Sequence, residues 1–423
     1  MTTLKKQKNE SDKSCEQLEL LTTILQEFST SLDINTTMQH VTRLVKKYLE
    51  AEGVSLFLLD EDQQYLICQV CASDHDISGI RIGANEGIAG KTLHENKTRM
   101  VRDAMQDPDY CRDVDDSSGS QTHSLLCAPL ALKDRKLGVM EAINKKTGDR
   151  LFDEHDRNLF TILANTAAMA IHNAQMAEDL VFQERTRREL ELAREIQAAL
   201  LPANVPDYPV YGLNIPARMV SGDFYDHFLL DNGCVCFCVG DVSGKGLNAS
   251  LMMAKTTSLF RCLGKRLDSP GALLSVINDE IFATATHGMF VTMVAGVFDP
   301  VKQRITMVNA GHHSPLLMGQ DGSFQELNTA TIPLGIMPDI EMDVYEVNLD
   351  GGELYIFTDG LSECWVKRDE QLGLEGVQGL IRKFISTVPS ERLNAIVDYA
   401  TEWKREQTGY LFDDVTMLLV SSK

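Results

Sequence analysis

Aspartates in the second half of this 423-residue chain recur at the edges of apolar runs. Asp223 and Asp226 lie in VSGDFYD, Asp241 closes the run CFCVGDVSGKG, Asp359 closes YIFTDGLSE, and Asp413 and Asp414 open FDDVTMLLV. A carboxylate at a strand end beside a tight turn is projected into a cleft by rigid backbone. Singly, such a residue is a turn former or a helix cap. Gathered together, carboxylates repel one another unless cations neutralise them. Hard oxygen donors suit magnesium or manganese. Two such ions about 4 Å apart can turn a bridging water into a hydroxide for in-line attack on phosphorus.

The glycines around Asp241 invite another reading, a nucleotide-phosphate cradle with Lys245 as its cation. A Walker loop needs four residues between its first glycine and the Gly-Lys pair, then Ser or Thr. Here three residues separate Gly240 from Gly244, and Gly246 stands where the hydroxyl belongs. The G-x-G-x-x-G spacing of dinucleotide sites is missing as well. Counting therefore removes the nucleotide reading and leaves the carboxylates.

The elements that must position these residues are legible as three blocks. After a polar tail (1–14), Leu18, Leu21, Leu25 and Phe28 fall at helical spacing and predict a helix over 15–33. Residues 34–173 mix helices such as TTMQHVTRLVKKYLEA with strands such as GVSLFLLD, YLICQVC and SLLCAPLAL, an α+β pattern with helices flanking an antiparallel sheet. Residues 174–200 contain no Gly or Pro and are dense in charge, which predicts a connecting helix that pairs in a homodimer. The prolines of LPANVPDYP end it. Residues 201–423 alternate strands (GCVCFCVGD, MFVTMVAGVFD, RITMVNAG, GELYIFTDG) with helix pairs, predicting two packed sheets covered by helices.

Bulk properties narrow the function classes. A net charge of −21 argues against nucleic-acid binding, which needs clustered Lys and Arg. No apolar run reaches membrane-span length, and the start MTTLKKQKNESDKSC lacks a signal-peptide centre, so a cytoplasmic chain is expected. The 10 cysteines then read as reduced thiols. Cys68 and Cys71 form a C-x-x-C with no second pair nearby, short of a zinc site.

In order and spacing, VSGDFYDHF, VGDVSGKG, MFVTMVAGVFD, VNAGHHSPLL, PLGI, LYIFTDGLSE and DDVTMLLV resemble the PPM-type serine/threonine phosphatases of the SpoIIE/RsbU branch. LELAREIQAALLP resembles the helix leading into that domain. The resemblance implies an αββα sandwich holding two Mn2+ or Mg2+ ions. Asp241 would bridge them, the Val242 carbonyl would be a further ligand, and Asp359 and Asp413 would complete the shell. Asp223 and Asp226 would make water-mediated or switchable contacts, with Asp414 the lesser ligand of its pair. It also implies a phosphorylated protein substrate of the anti-sigma-factor-antagonist type. A partner-binding protein with weak catalysis is the alternative. Lys245 stands where many relatives have His, and Ser243 where distant ones carry a proposed general acid, so leaving-group protonation falls to solvent or a metal-bound water. His312 reads as structural ahead of an acid–base role. Arg218, five residues before Asp223, is the candidate for gripping phosphate bidentately.

Residues 34–173 resemble the GAF domain, through ANEGIAGKTLHENKTRMVRDAMQDPDY, SLLCAPL, KLGVMEAINK and FDEHDRNLFTILANTAAMAIHNA. Asn144 and Lys145, with Phe152, Asp153 and Glu154, are similar to the signature of cyclic-nucleotide-binding members, in which a Lys–Asp salt bridge props the fold. A cyclic nucleotide, another small molecule, or a purely dimerising role all fit this block.

Overall fold

The computed structural model describes residues 34–423, apart from 120, 134, 206–207, 268, 285–287, 329, 368–369, 409–410 and 422–423. The tail over 1–14 and the helix expected over 15–33 lie outside the described residues. The chain divides into two units, one to Arg185 and one from Thr186.

Antiparallel pairing organises the first unit. Strands β1 (Ala51–Leu59), β2 (Tyr65–Ala72), β3 (Arg81–Gly83), β4 (Arg99–Val101), β5 (Leu125–Leu132) and β6 (Arg135–Lys145) form one sheet in the order β3-β2-β1-β6-β5-β4. The helix Ile34–Leu49 buries Met38, Val41, Val45 and Leu49, spaced three and four apart, so one apolar stripe meets one face of the sheet. Phe160 and Leu163, on the helix Glu154–Leu200, join that core. The shorter helix Gly87–Glu95 packs Ile88 and Leu93 with Leu66 and Val139 in a separate core.

The helix Glu154–Leu200 is continuous over 47 residues, where the sequence suggested two successive helices. Asp153 and Asp156 cap its start reciprocally, each accepting the other's backbone N–H at 2.9 Å. Among the described residues no helix is long and apolar enough to cross a membrane.

The second unit is a four-layer sandwich. One five-stranded sheet runs β14 (Tyr345–Asn348), β11 (Arg304–Ala310), β10 (Val291–Asp299), β9 (Val235–Val242), β8 (Phe224–Leu229). The other runs β13 (Phe324–Glu326), β12 (Leu316–Met318), β15 (Glu353–Phe357), β18 (Val415–Ser421), β7 (Val210–Ile215), and a small hairpin pairs β16 (Trp365–Lys367) with β17 (Glu370–Gln371). Tyr225, Phe237, Val239, Val294, Ile356 and Leu418 fill the space between the sheets. Helices Leu247–Leu263 and Pro270–Thr284 cover one outer face, and Gly373–Lys383 and Pro389–Thr408 the other. Two domains, one mixed and one αββα, are thus the architecture.

Candidate active site

Strand alternation decides which aspartates can meet. On β9, Val235, Phe237 and Val239 point between the sheets while Cys236 and Cys238 point to the helices, so Asp241 emerges on the inter-sheet side. On β8, Tyr225 faces between the sheets and Phe224 and Phe228 face the helices. Asp223, just before the strand, shares the inter-sheet parity and reaches Thr358 and Asp241. Asp226 has the opposite parity. It is fully buried against Arg261 of the helix Leu247–Leu263, which grips both carboxylate oxygens. The expected ligand role for Asp226 is therefore corrected: its carboxylate, buried in the helix layer, is paired with the partly exposed Arg261.

Asp241 and Asp359 line one cleft of about 330 Å³ together with Thr292, His312 and His313. Asp359 opens a short helical turn directly after β15, and Gly360 makes that turn possible. A Cβ there would stand 1.9 Å from the Asp414 carbonyl oxygen, closer than any side chain can approach. Asp223 is buried and accepts a hydrogen bond from Thr358 Oγ1 at 2.6 Å. Burial, then the neighbouring Asp241 charge, pushes its carboxyl well above the usual range. Burial also raises Asp241, to about 7, with the Asp359, Asp413 and Asp414 charges adding to it and a hydrogen bond with Asp223 opposing it. Burial and the neighbouring charges thus favour the protonated forms, and a cation in the cleft would favour the ionised ones.

The donor set fits a hard divalent cation. Gly222 presents a bare edge here, since a Cβ would lie 3.4 Å from the Val242 carbonyl oxygen and 3.8 Å from Asp241 Oδ1. Among the described residues no three of these side chains close on one point as a finished metal cage would require. They share an anionic field instead, and an ion would have to draw them together.

The remaining candidates divide by what holds them. Asp414 accepts the backbone N–H groups of Ala217 at 2.7 Å and Gly222 at 2.8 Å, so it braces the loop that carries Asp223. Asp413 pairs with Lys245 at 2.7 Å, and Lys245 also donates to the Phe412 carbonyl at 3.2 Å. That accounts for the lysine in the glycine loop. Arg218 is exposed on the segment between the two amides that Asp414 holds. His312 is buried, its ring nitrogen 2.9 Å from Thr292 Oγ1, and burial drives its pKa down to about 3. It is uncharged at neutral pH and cannot donate a proton as an imidazolium.

Two positioning residues escaped the sequence reading. Thr358 holds Asp223 and was visible only as the neighbour of Asp359. Gln197, near the end of the long helix, is 8% exposed, accepts the Ser221 N–H at 3.0 Å and donates to the Ser221 carbonyl at 2.9 Å. A buried amide on an otherwise charged helix was its one signal. Gln197→Leu strands both backbone groups, and urea denaturation should show the second unit destabilised by about 1–3 kcal/mol. Unchanged stability would mean that water replaces the amide.

In the first unit, Asn144 sits at φ 52°, accepts the His123 and Ser124 N–H groups and donates to Glu52 and the Gln121 carbonyl. Lys145 makes its salt bridge to Asp156 at 2.5 Å. Asp153 serves the helix cap, and Glu154 pairs with Arg157 on the surface. Phe152 is fully buried in the core. These residues build the fold.

Both units resemble known proteins. A family model described as stage II sporulation protein E (SpoIIE) matches residues 231–423, and the GAF domain model matches residues 33–171. Protein IcfG of Synechocystis is 29% identical over 270 residues, covering 55% of this chain and 41% of its own length. Phosphoserine phosphatase RsbU of Bacillus subtilis is 28% identical over 248 residues, covering 57% of this chain and 72% of itself. The solved SiaA-PP2C domain of Pseudomonas aeruginosa aligns with a TM-score of 0.48 at 23% identity, over 56% of this chain and 98% of that one. This chain spans less than half the length of IcfG. The matched stretch from residue 231 onward is thus of the SpoIIE type, a class whose relatives include the phosphoserine phosphatase RsbU. This chain carries a domain of the SpoIIE type, preceded by a GAF domain. The loop with Asp223 lies just before the matched SpoIIE segment.

Proposed function

We propose that this chain is a metal-dependent protein phosphatase that hydrolyses phosphoserine or phosphothreonine under the control of its GAF domain. The observation that carries the reading is that Asp241 of β9 and Asp359 after β15 line one cleft, with the buried Asp223, just before β8, against Asp241 beneath them. Manganese or magnesium ions held by Asp241, Asp359, Asp413, Asp223 and the Val242 carbonyl would supply Lewis-acid activation of water and neutralise phosphate charge. The chain's own residues orient the site. Thr358 fixes the Asp223 carboxyl, Asp414 and Gln197 hold the Ala217–Asp223 loop from two sides, and Gly360 lets Asp359 close on Asp414. With His312 neutral, the leaving-group proton would come from solvent or a metal-bound water.

By resemblance, the substrate is a phosphorylated anti-sigma-factor antagonist, and the chain works in the cytoplasm, with neither nucleic acid nor membrane as partner. Dimerisation through the long helix is supported by exposed Leu180, Val181 and Phe182, at 61%, 71% and 72%. A second reading, a partner-binding protein with weak catalysis, is favoured by one contact: the Lys245 ammonium already neutralises Asp413. Hydrolysis of a phosphoserine peptide, measured with and without manganese, separates the two. We expect turnover to rise at least tenfold with the metal, and tight peptide binding without turnover would establish the second reading.

A further inference from the structure

The GAF unit contains a cavity of about 370 Å³ beside the helix Gly87–Glu95, within the size range of small-molecule sites. Ile80, Ile82, Leu125 and Ile143 give it an apolar wall. Its charged lining is one-sided. Glu52, Asp115 and Glu141 face it, as do Asp74 and Glu86, while Arg81 is the one Lys or Arg among the described lining residues. Arg81 is itself exposed, its guanidinium 5.7 Å from the centre of the Tyr65 ring. The N-terminal end of the adjacent helix would otherwise attract an anion, but Glu86 stands there.

The carboxylates differ in how they are satisfied. Asp115 accepts hydrogen bonds from Tyr110, from the Thr122 amide at 2.7 Å and from its hydroxyl at 2.8 Å. Glu52 accepts the Asn144 amide at 2.9 Å. Glu141, opposite Cys127 across the β5–β6 pair, has the thiol as its hydrogen-bonding neighbour, a weak donor. Burial and the nearby Asp115 charge raise its carboxyl to about 7. A half-buried carboxylate in that position is completed by a cation and further destabilised by an anion.

We infer that this cavity binds a small organic cation, an amine or guanidine with an apolar body placed against the isoleucines and its charge on Glu141, and that it excludes cyclic nucleotides. A phosphodiester would meet five carboxylates against the one guanidinium of Arg81, which is itself exposed. The inference gives a ligand class to the sensor role proposed above. It is tested by binding, so a chain without phosphatase turnover would still answer it.

The experiment is isothermal titration calorimetry of the full chain with phenethylamine and agmatine, with 2-phenylethanol as the uncharged control and cAMP and cGMP as the opposing arm. We expect at least one amine to bind with one-to-one stoichiometry and the alcohol to bind at least tenfold more weakly. Glu141→Gln should weaken the amine at least tenfold, Glu141→Asp should restore part of the loss, and circular dichroism should show both variants folded. Silence of both amines, equal binding of the alcohol, undiminished amine binding by Glu141→Gln, or saturable binding of either cyclic nucleotide would overturn the assignment.

Discussion

Asp241→Asn is expected to lower manganese-dependent hydrolysis of a phosphoserine peptide by about two to three orders of magnitude, because several kcal/mol of transition-state charge stabilisation disappear. The fold should survive. Asp241 is raised to about 7 by burial and by the neighbouring carboxylates, so its ionised form costs stability. A folded-state pKa above the unfolded one means stability that is full in acid and lost as pH rises through about 7. The neutral amide removes that cost, and its oxygen still accepts a hydrogen bond from Asp223. At pH 8 and without added metal, the variant should therefore melt no lower than the natural chain. The melting rise that manganese gives the natural chain should vanish in the variant. Full activity with a preserved manganese shift would remove Asp241 from the proposed site, and with it the two-metal reading.

Asp414→Ala should give the opposite signature. Its carboxylate does not line the cleft, yet it accepts two backbone N–H groups, Ala217 at 2.7 Å and Gly222 at 2.8 Å. Hydrogen bonds to a charged acceptor contribute more than neutral ones, and deleting this acceptor strands both donors. We expect the second unit to lose about 2–4 kcal/mol in urea denaturation. Manganese affinity should fall along with stability, since the freed loop carries Asp223. Asp414→Asn keeps one acceptor oxygen but turns an NH2 toward the other amide, and should fall between the two. A variant that loses activity at full stability would make Asp414 a ligand, contrary to the bracing role.

The pair separates two neighbours that sequence alone could not separate. Asp413 and Asp414 are adjacent at the start of β18, and one faces Lys245 while the other turns back to the 217–222 loop. Nothing in FDDVTMLLV states which does which, because the partners come from segments 168 and 192 residues away. The case of Asp226 differs. Its orientation follows from counting along β8, since Asp226 lies three positions after Asp223, an odd offset, and so the two face opposite sides of the strand. The residues Phe224–Leu229 become a strand through their pairing with β9.

Local chemistry explains what was legible. Apolar runs with alternating partners, glycines where the chain must turn, and helices ended by proline are short-range consequences of side-chain type, so the α+β unit and the layered second unit could be read from the chain. So could the aspartates at strand ends, because backbone rigidity there and carboxylate chemistry are both local properties. Tertiary structure alone decided how the charges are balanced. Arg261 takes Asp226, Lys245 takes Asp413, Asp156 rather than Asp153 takes Lys145, and Glu141 is left inside an acidic cavity. Each of these pairings depends on distance and burial across elements far apart in sequence, and a carboxylate's partner and its pKa exist only once those elements have packed.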